Sequence, residues 1–250
     1  MTTLPETGTD LRTVLFAHAH PDDETLASGA LIAWLSQHGV ACHLLTATRG
    51  ERGEVVPGSS TATEGSAELE AVREQELARA VSALGMAGHT YLGAPPARAD
   101  GLAPRRYRDS GMQWVRPGLA GPADESDTAS FTAADPAEAV ADLTALVRSL
   151  RPDVVVSYES DGGYGHPDHV RMHEVAIAAA SQAGVRFAEI VTSPEGVDEA
   201  TTWYDLEHEL PTVVRALRCH ATQVTVDGDE VVHVGGQREP ILTAMGLRIR

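Results

Sequence analysis

Two short clusters of imidazole and carboxylate side chains have the composition and spacing of a catalytic metal site. The first runs from His18 to Glu24 and the second from Tyr164 to His169. Two imidazoles and one carboxylate drawn from both clusters would give three protein ligands and leave a position for water, as catalytic zinc sites do. A metal lowers the pKa of its bound water from about 15.7 to about 7 and so makes a nucleophile at neutral pH. The clusters therefore predict metal-assisted hydrolysis.

Each residue type suggests one role in such a reaction. His20, Asp23 and His169 are the predicted metal ligands. Asp22 stands beside Asp23 but points differently, so it can accept the proton of the attacking water. His166 can donate to the developing oxyanion and to the leaving amine.

Other interpretations of the same residues stay open. His173 follows His169 by four residues on one helical face, so these two histidines could be the ligand pair. An H-P-D sequence also commonly begins a helix, with Pro in the first turn and Asp at the positive end of the helix dipole. Two such clusters, each after a predicted strand, favour the metal site.

The elements that must position these clusters alternate between strand and helix, as judged from apolar runs and helical periodicity. The predicted elements are, in order, strand Thr13 to His18, helix Glu24 to Gln37, strand Val40 to Thr48, helix Ala67 to Leu84, strand His89 to Leu92, helix Pro136 to Leu150, strand Asp153 to Tyr158 and helix Pro167 to Gln182. This order predicts an α/β fold, Rossmann-like and three-layered, with a mostly parallel sheet covered by helices on both faces. Both clusters follow strands, and such sheets bind ligands at the carboxyl ends of their strands.

The remaining stretches have weaker patterns. Gly93 to Thr132 has almost no periodicity and predicts a long surface loop that acts as a lid or substrate wall. After Val185 we expect a strand at Arg186 to Thr192, a helix at Leu210 to His220 and a hairpin at Val224 to Val234. We expect a single domain over residues 1–250, with its core at 11–184 and a less regular portion at 185–250.

Composition excludes several classes of protein. A formal net charge of -17 would repel nucleic acid. No apolar run approaches the roughly 20 residues of a membrane helix, and Met1 to Asp10 lacks the pattern of a secretory signal, so we expect a cytoplasmic protein without membrane contact. Cys42 and Cys219 lack the spacing of a thiolate metal site. The sequence leaves the oligomeric state open.

Two cofactor sites are also disfavoured. The turn from Gly50 to Gly53 has an acidic residue where a phosphate would sit. The first strand is followed by His-Pro-Asp-Asp and not by the glycine-rich turn of a dinucleotide-binding domain.

Two motifs carry a resemblance to a known family. A-H-P-D-D-E at Ala19 to Glu24 and G-H-P-D-H at Gly165 to His169 resemble those of the zinc-dependent N-acetylglucosaminyl deacetylases, which act on phosphatidylinositol glycans, bacterial thiol precursors and some antibiotics. The mycothiol-pathway branch, with its deacetylase and conjugate amidase, is similar in four further motifs: G-E-R-G-E at Gly50 to Glu54, R-D-S-G-M at Arg108 to Met112, G-G-Y-G-H-P-D-H at Gly162 to His169 and H-A-T-Q-V at His220 to Val224. The resemblance covers roughly residues 11–184 and the patch near His220.

The resemblance implies roles for nine residues. It implies that His20, Asp23 and His169 bind the metal, that Asp22 is the general base, that His166 stabilises the oxyanion and acts as general acid with help from Tyr164, and that Glu54, Arg73 and Asp109 hold sugar and inositol hydroxyls. The metal would be zinc, although two imidazoles and a carboxylate also suit ferrous iron. The segment from Val185 to Cys219 is shorter than in that branch, which predicts that part of the substrate cavity is missing or rebuilt.

The function expected from these observations is removal of an N-acetyl group from a small-molecule N-acetylglucosamine conjugate. Amide cleavage of a mycothiol conjugate and deacetylation of an antibiotic are the alternatives within the family. The non-enzyme alternative is a metal-dependent protein that binds a sugar conjugate but does not catalyse its conversion. Because such a protein has no need of Asp22 and His166, their presence favours the enzyme.

Overall fold

Strands and helices alternate from residue 13 to residue 91 and again from residue 136 to residue 191, as the periodicity predicts. The computed structural model describes residues 11–123 and 127–250. The helices are α1 (Asp23–Gln37), α2 (Ala67–Ala83), α3 (Pro136–Leu150), α4 (Pro167–Ala183) and α5 (Leu210–Leu217). The strands are β1 (Thr13–His18), β2 (Ala41–Thr46), β3 (Gly88–Tyr91), β4 (Met112–Arg116), β5 (Leu119–Pro122), β6 (Val154–Ser157), β7 (Arg186–Val191), β8 (Thr201–Asp205), β9 (Val224–Asp227), β10 (Glu230–His233), β11 (Arg238–Pro240) and β12 (Ala244–Ile249). Short 3-10 helices lie at Pro194–Gly196 and Glu207–Glu209.

The central sheet has seven strands in the order β3-β2-β1-β6-β7-β12-β8. The first five are parallel neighbours, and β12 is antiparallel to both β7 and β8. β1 pairs with β2 from Thr13 against Ala41 to His18 against Thr46, so the carboxyl ends of both strands reach the same edge. The mostly parallel α/β sheet is therefore confirmed.

The two faces of the sheet bury separate apolar layers, because side chains alternate along each strand. Val14 and Phe16 in β1 belong to the layer that contains α1, α2 and α5. Leu15 and Ala17 point to the opposite face and pack with α3 and α4. The larger of these side chains, Val14, Leu15 and Phe16, each contribute about 1.5–3 kcal/mol when fully buried. The predicted three layers follow from this alternation.

Helix α4 begins and ends at residues whose types favour those positions. The ring of His166, just before the helix, accepts a hydrogen bond from the backbone N–H of Asp168, and Pro167 occupies the first turn. At the other end Gly184 has φ 69° and ψ 30°, a left-handed conformation that glycine adopts without a side-chain clash. These signals place the second polar cluster at the amino end of a well-defined helix.

A long surface loop was predicted for the stretch from Gly93 to Thr132, but the stretch is not one continuous loop. It contains β4 and β5, which form an antiparallel hairpin. Trp114 and Val115 in this hairpin are exposed, so the strands lack the alternating apolar pattern from which strands are predicted. Residues 124–126 of the expected loop lie outside the described residues.

The portion after residue 184 adds β7, β8 and β12 to the central sheet. The hairpin expected at Val224 to Val234 is confirmed as β9 and β10. Strands β8, β11 and β12 were not predicted from the sequence. In β12, Gly246 and the charged Arg248 interrupt the apolar pattern of a buried strand. Arg248 is accommodated there because its guanidinium forms ion pairs with Glu159 and Glu189. In the described part of the chain, no helix combines the length and apolar character needed to cross a membrane.

Candidate metal and catalytic site

The two polar clusters meet at the carboxyl end of the sheet. Strand β1 ends at His18 and leads into the first cluster, while β6 ends at Ser157 and leads through a turn into the second. β1 and β6 are adjacent parallel strands, so both clusters emerge at one edge. The rings of His20 and His169 lie with their centroids 5.3 Å apart.

The carboxylate of Asp23 lies between these two imidazoles. Its Oδ2 is 3.3 Å from Nδ1 of His20, and its Oδ1 is 3.2 Å from Nε2 of His169. Oδ2 also accepts hydrogen bonds from the hydroxyl of Tyr158 at 2.7 Å and from the backbone N–H of His20 at 2.8 Å. These bonds fix the carboxylate and leave Oδ1 facing His169.

The outer nitrogen of each imidazole has a protein acceptor. Nδ1 of His169 is 3.1 Å from the carbonyl oxygen of Gly162, and Nε2 of His20 is 3.2 Å from Oδ2 of Asp168. A carbonyl oxygen can only accept, so Nδ1 of His169 carries a proton and Nε2 is left to face the Asp23 carboxylate. That buried Nε2 has no hydrogen-bond partner among the described residues and faces the Asp23 carboxylate. A divalent cation would fit between this nitrogen and the carboxylate oxygen if the ring gave up its Nε2 proton on binding.

Charge in the site favours an additional cation. The carboxylates of Asp109 and Asp168 raise the pKa of His20 well above its ordinary value, although burial opposes this. Burial raises the pKa of Asp23, but the rings of His169 and His20 outweigh it and lower that pKa well below the ordinary range. The described residues contain two groups whose nitrogen and oxygen atoms lie within 4.8 Å of one another: His20, His166 and His169, and His20, Asp109 and Asp168.

Asp22 stands at the start of α1 in an unusual backbone conformation. Its φ is 98°, in the positive region that residues other than glycine rarely adopt. Burial and the neighbouring Asp23 carboxylate raise the pKa of Asp22 to about 7. Among the described residues, no group donates a hydrogen bond to its side chain.

His166 and Tyr164 form an aromatic group around His169. The His166 ring stacks on that of His169 at 4.7 Å, and the Tyr164 ring meets it edge-on at 5.2 Å. Because Nδ1 of His166 accepts the backbone N–H of Asp168, the neutral ring carries its proton on Nε2. Burial, followed by the charges of His20 and His169, lowers the pKa of His166 to about 2, so this ring is a neutral donor.

His173 lies outside the cluster. Its Nδ1 is 2.9 Å from the carbonyl oxygen of Tyr158, and its ring packs edge-on against Phe187 in β7. The geometry thus gives no support to a His169 and His173 ligand pair.

The family resemblance implies that three residues bind the substrate, and these three have different surroundings in the structure. Asp109 is buried, its Oδ1 is 3.7 Å from Nε2 of His20, and it accepts backbone N–H groups of Arg52 and Gly111. Glu54 has an exposed side chain. Arg73 is 1% exposed and donates to the carbonyl oxygens of residues 50, 53 and 54. Its guanidinium therefore holds the loop, and a direct contact with a sugar stays a prediction.

Three further residues support the site and were not among the site residues predicted from the sequence. Tyr158, at the end of β6, stacks on His169 at 4.2 Å and donates to Asp23. Asp168 accepts both the backbone N–H and the hydroxyl of Ser110 while it contacts His20. Ser110 stands in the R-D-S-G-M motif and Asp168 in the G-H-P-D-H motif, so the motifs contained the signal.

Comparison with known proteins relates this geometry to a family. The family described as PIG-L: GlcNAc-PI de-N-acetylase matches residues 15–180, which include both polar clusters. The chain belongs to this family. The 1D-myo-inositol 2-acetamido-2-deoxy-alpha-D-glucopyranoside deacetylase of Kineococcus radiotolerans is 41% identical over 265 residues, covering 88% of this chain and 71% of the relative. A deacetylase 1 of the same description from Saccharopolyspora erythraea is 37% identical over 243 residues, covering 84% and 77%.

A solved structure shares the fold of this PIG-L family member. The N,N'-diacetylchitobiose deacetylase from Pyrococcus horikoshii superposes with a TM-score of 0.65 over 99% of this chain and 86% of the neighbour. The two sequences are 20% identical, so this likeness concerns the fold alone. Because the superposition covers 99% of this chain, it extends beyond residue 184.

Proposed function

We propose that this PIG-L family member is a metal-dependent deacetylase that removes the acetyl group from an N-acetylglucosaminyl conjugate. The relatives named above support 1D-myo-inositol 2-acetamido-2-deoxy-α-D-glucopyranoside as the first substrate to test. The observation that carries the proposal is the buried, unpartnered Nε2 of His169 opposite Oδ1 of Asp23. Such a pair fits a divalent cation held between the two atoms.

His20, Asp23 and His169 are the proposed ligands, and zinc is the proposed ion. Two imidazoles and one carboxylate are a common donor set for catalytic zinc. The outer nitrogens of both rings already have acceptors, as the rings of metal-binding histidines usually do. When bound, the ion supplies Lewis acidity toward water and toward the amide carbonyl.

The protein side chains supply the proton transfers. Asp22 lies beside the proposed ligand Asp23, and its carboxylate is free to accept a proton from the attacking water. His166 donates from Nε2 to the carbonyl oxygen as negative charge develops there, and Tyr164 stands next to its ring. The proton held by Asp22 then leaves with the amine, which releases acetate and the free amino sugar.

Metal analysis, an activity assay and a substitution at Asp22 together test this function. Purified protein should contain about one zinc per chain, release acetate from the inositol conjugate, lose activity with a chelator and regain it with zinc. Asp22→Asn keeps the size of the side chain but removes the proton acceptor, so kcat should fall by about 10²–10⁴-fold. The exposed Asp205→Asn is the matched control and should leave kcat unchanged.

Different results would point elsewhere. Cleavage of a mycothiol conjugate in preference to the inositol conjugate would identify an amidase with the same site. Tight zinc binding without acetate release from any amino-sugar conjugate would contradict the deacetylase and favour a binding protein. A protein that takes up no divalent metal would refute the proposed ligands.

A further inference from the structure

The segment from His220 to Val224 has buried polar side chains that the proposed reaction does not use. His220 is 0% exposed and Thr222 is 1% exposed. A buried imidazole or hydroxyl is costly without hydrogen-bond partners. Their partners lie on α1, on α2 and in the loop at residues 50–56, which are the elements that border the site.

A single carboxylate connects His220 with Asp22. Nε2 of His220 is 2.8 Å from Oε1 of Glu24, and both side chains are fully buried. The hydroxyl of Thr25 donates to the same Oε1 at 2.5 Å. The other oxygen of Glu24, Oε2, accepts the backbone N–H of Asp22 at 3.0 Å.

The Asp22 backbone needs such a partner. Asp22 precedes α1, so its N–H takes no part in the hydrogen bonds of the helix, and its φ is 98°. A positive φ is strained for a residue other than glycine and persists only where surrounding contacts enforce it. The Glu24 carboxylate is a contact of this kind, and His220 with Thr25 fixes the carboxylate in turn.

Thr222 ties the same segment to the loop at residues 50–56. Its N–H and hydroxyl both donate to Glu76 in α2, and its carbonyl oxygen accepts the N–H of Val56. Nε of Arg73 donates to the Thr222 hydroxyl at 3.4 Å. The segment therefore connects the start of α1 with the loop at residues 50–56, although it lies about 200 residues later in the chain than Asp22.

We propose that Glu24 and His220 are positioning residues that hold the Asp22 backbone in its positive-φ conformation and so aim the Asp22 carboxylate at the reacting centre. Neither residue touches the substrate. The inference rests on the proposed function of Asp22 as proton acceptor. It assigns a role in the same reaction to the H-A-T-Q-V segment.

Two polar variants of His220 differ in reach and form a matched pair. Glutamine is long enough for its amide to donate to Oε1 of Glu24, whereas asparagine is too short. For His220→Asn we expect kcat to fall on the order of 10²-fold with KM within about twofold, because a misplaced catalytic group loses rate and not substrate affinity. His220→Gln should recover most of that loss. A merely structural role would lower stability in both variants without this division between kcat and KM.

Asp153→Asn is the control for a loss of stability that arises away from the site. Asp153 accepts the N–H groups of Arg12 and Thr13 at the start of β1, the end of the strand opposite to the site. Its variant should lower the midpoint of thermal unfolding and leave kcat unchanged. Should His220→Asn not fold, Thr25→Val removes the other donor to Oε1 of Glu24 and should reduce kcat in the same direction by less.

Amide hydrogen exchange gives a readout that does not depend on activity. The peptide that contains Asp22 should exchange faster in His220→Asn than in wild type or His220→Gln, while the zinc content of all three stays equal. Unchanged exchange together with unchanged kcat would overturn the inference, as would an equal loss of kcat in the two His220 variants. Wild-type protein that deacetylates nothing would refute the proposed function, and the exchange result would still decide whether His220 holds Asp22.

Discussion

Tyr158 provides a test of the metal site that leaves its proposed ligands intact. The Tyr158 hydroxyl donates to Asp23 at 2.7 Å and accepts the backbone N–H of Ala19 at 2.8 Å. Tyr158→Phe keeps the stacking on His169 but frees the Asp23 carboxylate, so zinc affinity should fall by about 10–100-fold, as loss of an outer partner usually causes. Competition with a zinc-binding dye measures this directly.

A matched tyrosine serves as the control for Tyr158→Phe. The hydroxyl of Tyr107 also donates to a buried carboxylate, that of Asp142 in α3, at 2.8 Å. Tyr107→Phe should therefore cost comparable stability and leave zinc affinity unchanged. Equal zinc affinities in the two variants would contradict the role given to Tyr158.

His89 in β3 predicts a pH dependence of stability that is separate from the metal site. The charged and titratable groups that face its ring are Glu24, Arg49, Glu74 and Tyr91. Burial lowers the pKa of His89 from 6.5 to about 4, with a contribution from Arg49 and opposition from the two carboxylates. Between these pH values the unfolded chain binds a proton that the folded chain does not, so stability falls as pH drops from about 6.5 to about 4, by up to about 3 kcal/mol.

Replacement of the ring isolates this effect. His89→Gln cannot be protonated and can still reach the hydroxyl of Thr46, which is 3.1 Å from the His89 ring. In urea unfolding at a series of pH values, wild type should lose stability toward pH 4 more steeply than His89→Gln. Parallel curves would show that the ring is not held neutral.

At the level of elements, the loop at residues 50–54 depends on one guanidinium from α2. Arg73 donates to three carbonyl oxygens of the loop, and a side chain at Gly53 would come within 2.6 Å of its Nη1. Arg73→Met should reduce the free energy of unfolding by about 3 kcal/mol, because buried charged hydrogen bonds are lost, and should expose the loop to proteolysis. Arg73→Lys should not restore it, since an ammonium lacks the planar fork.

A control variant in the same helix distinguishes a structural role of Arg73 in the loop from a direct contact with the substrate. Arg79→Met removes a charge from the exposed face of α2 and should change neither stability nor proteolysis. If Arg73 instead held a sugar hydroxyl and little else, Arg73→Met would raise KM at unchanged stability. That result would favour the role that the family resemblance implies.

Strands and helices were predicted correctly where their buried apolar residues recur at regular spacing in the sequence. β1 and α4 have apolar residues at strand and helix spacing, so their positions and the two clusters after β1 and β6 were foreseen. The hairpin of β4 and β5 was missed because its side chains are exposed, and β12 because ion pairs compensate Arg248 within it. The contacts of Tyr158 and His220 join residues more than 130 positions apart, which local spacing does not reveal.

At the scale of the whole molecule, the site depends on a sheet that is completed from the far end of the chain. All proposed catalytic and metal residues precede residue 170, yet β12 is inserted between β7 and β8 in the sheet. Leu247 in β12 is 1% exposed and belongs to the apolar layer that also contains Val14 and Phe16 of β1. The strand that leads to the site and the strand that ends the chain therefore share one core.

Removal of β12 should accordingly abolish the fold and not merely trim an edge. Deletion of residues 244–250 would leave unpaired backbone groups on both β7 and β8, so we expect a chain without cooperative thermal unfolding and without zinc binding. Leu247→Ala is the graded version: it should cost about 2–5 kcal/mol and keep wild-type kcat at temperatures where the protein stays folded. A truncated chain that still folds and binds zinc would mean that the first 243 residues support the site without β12.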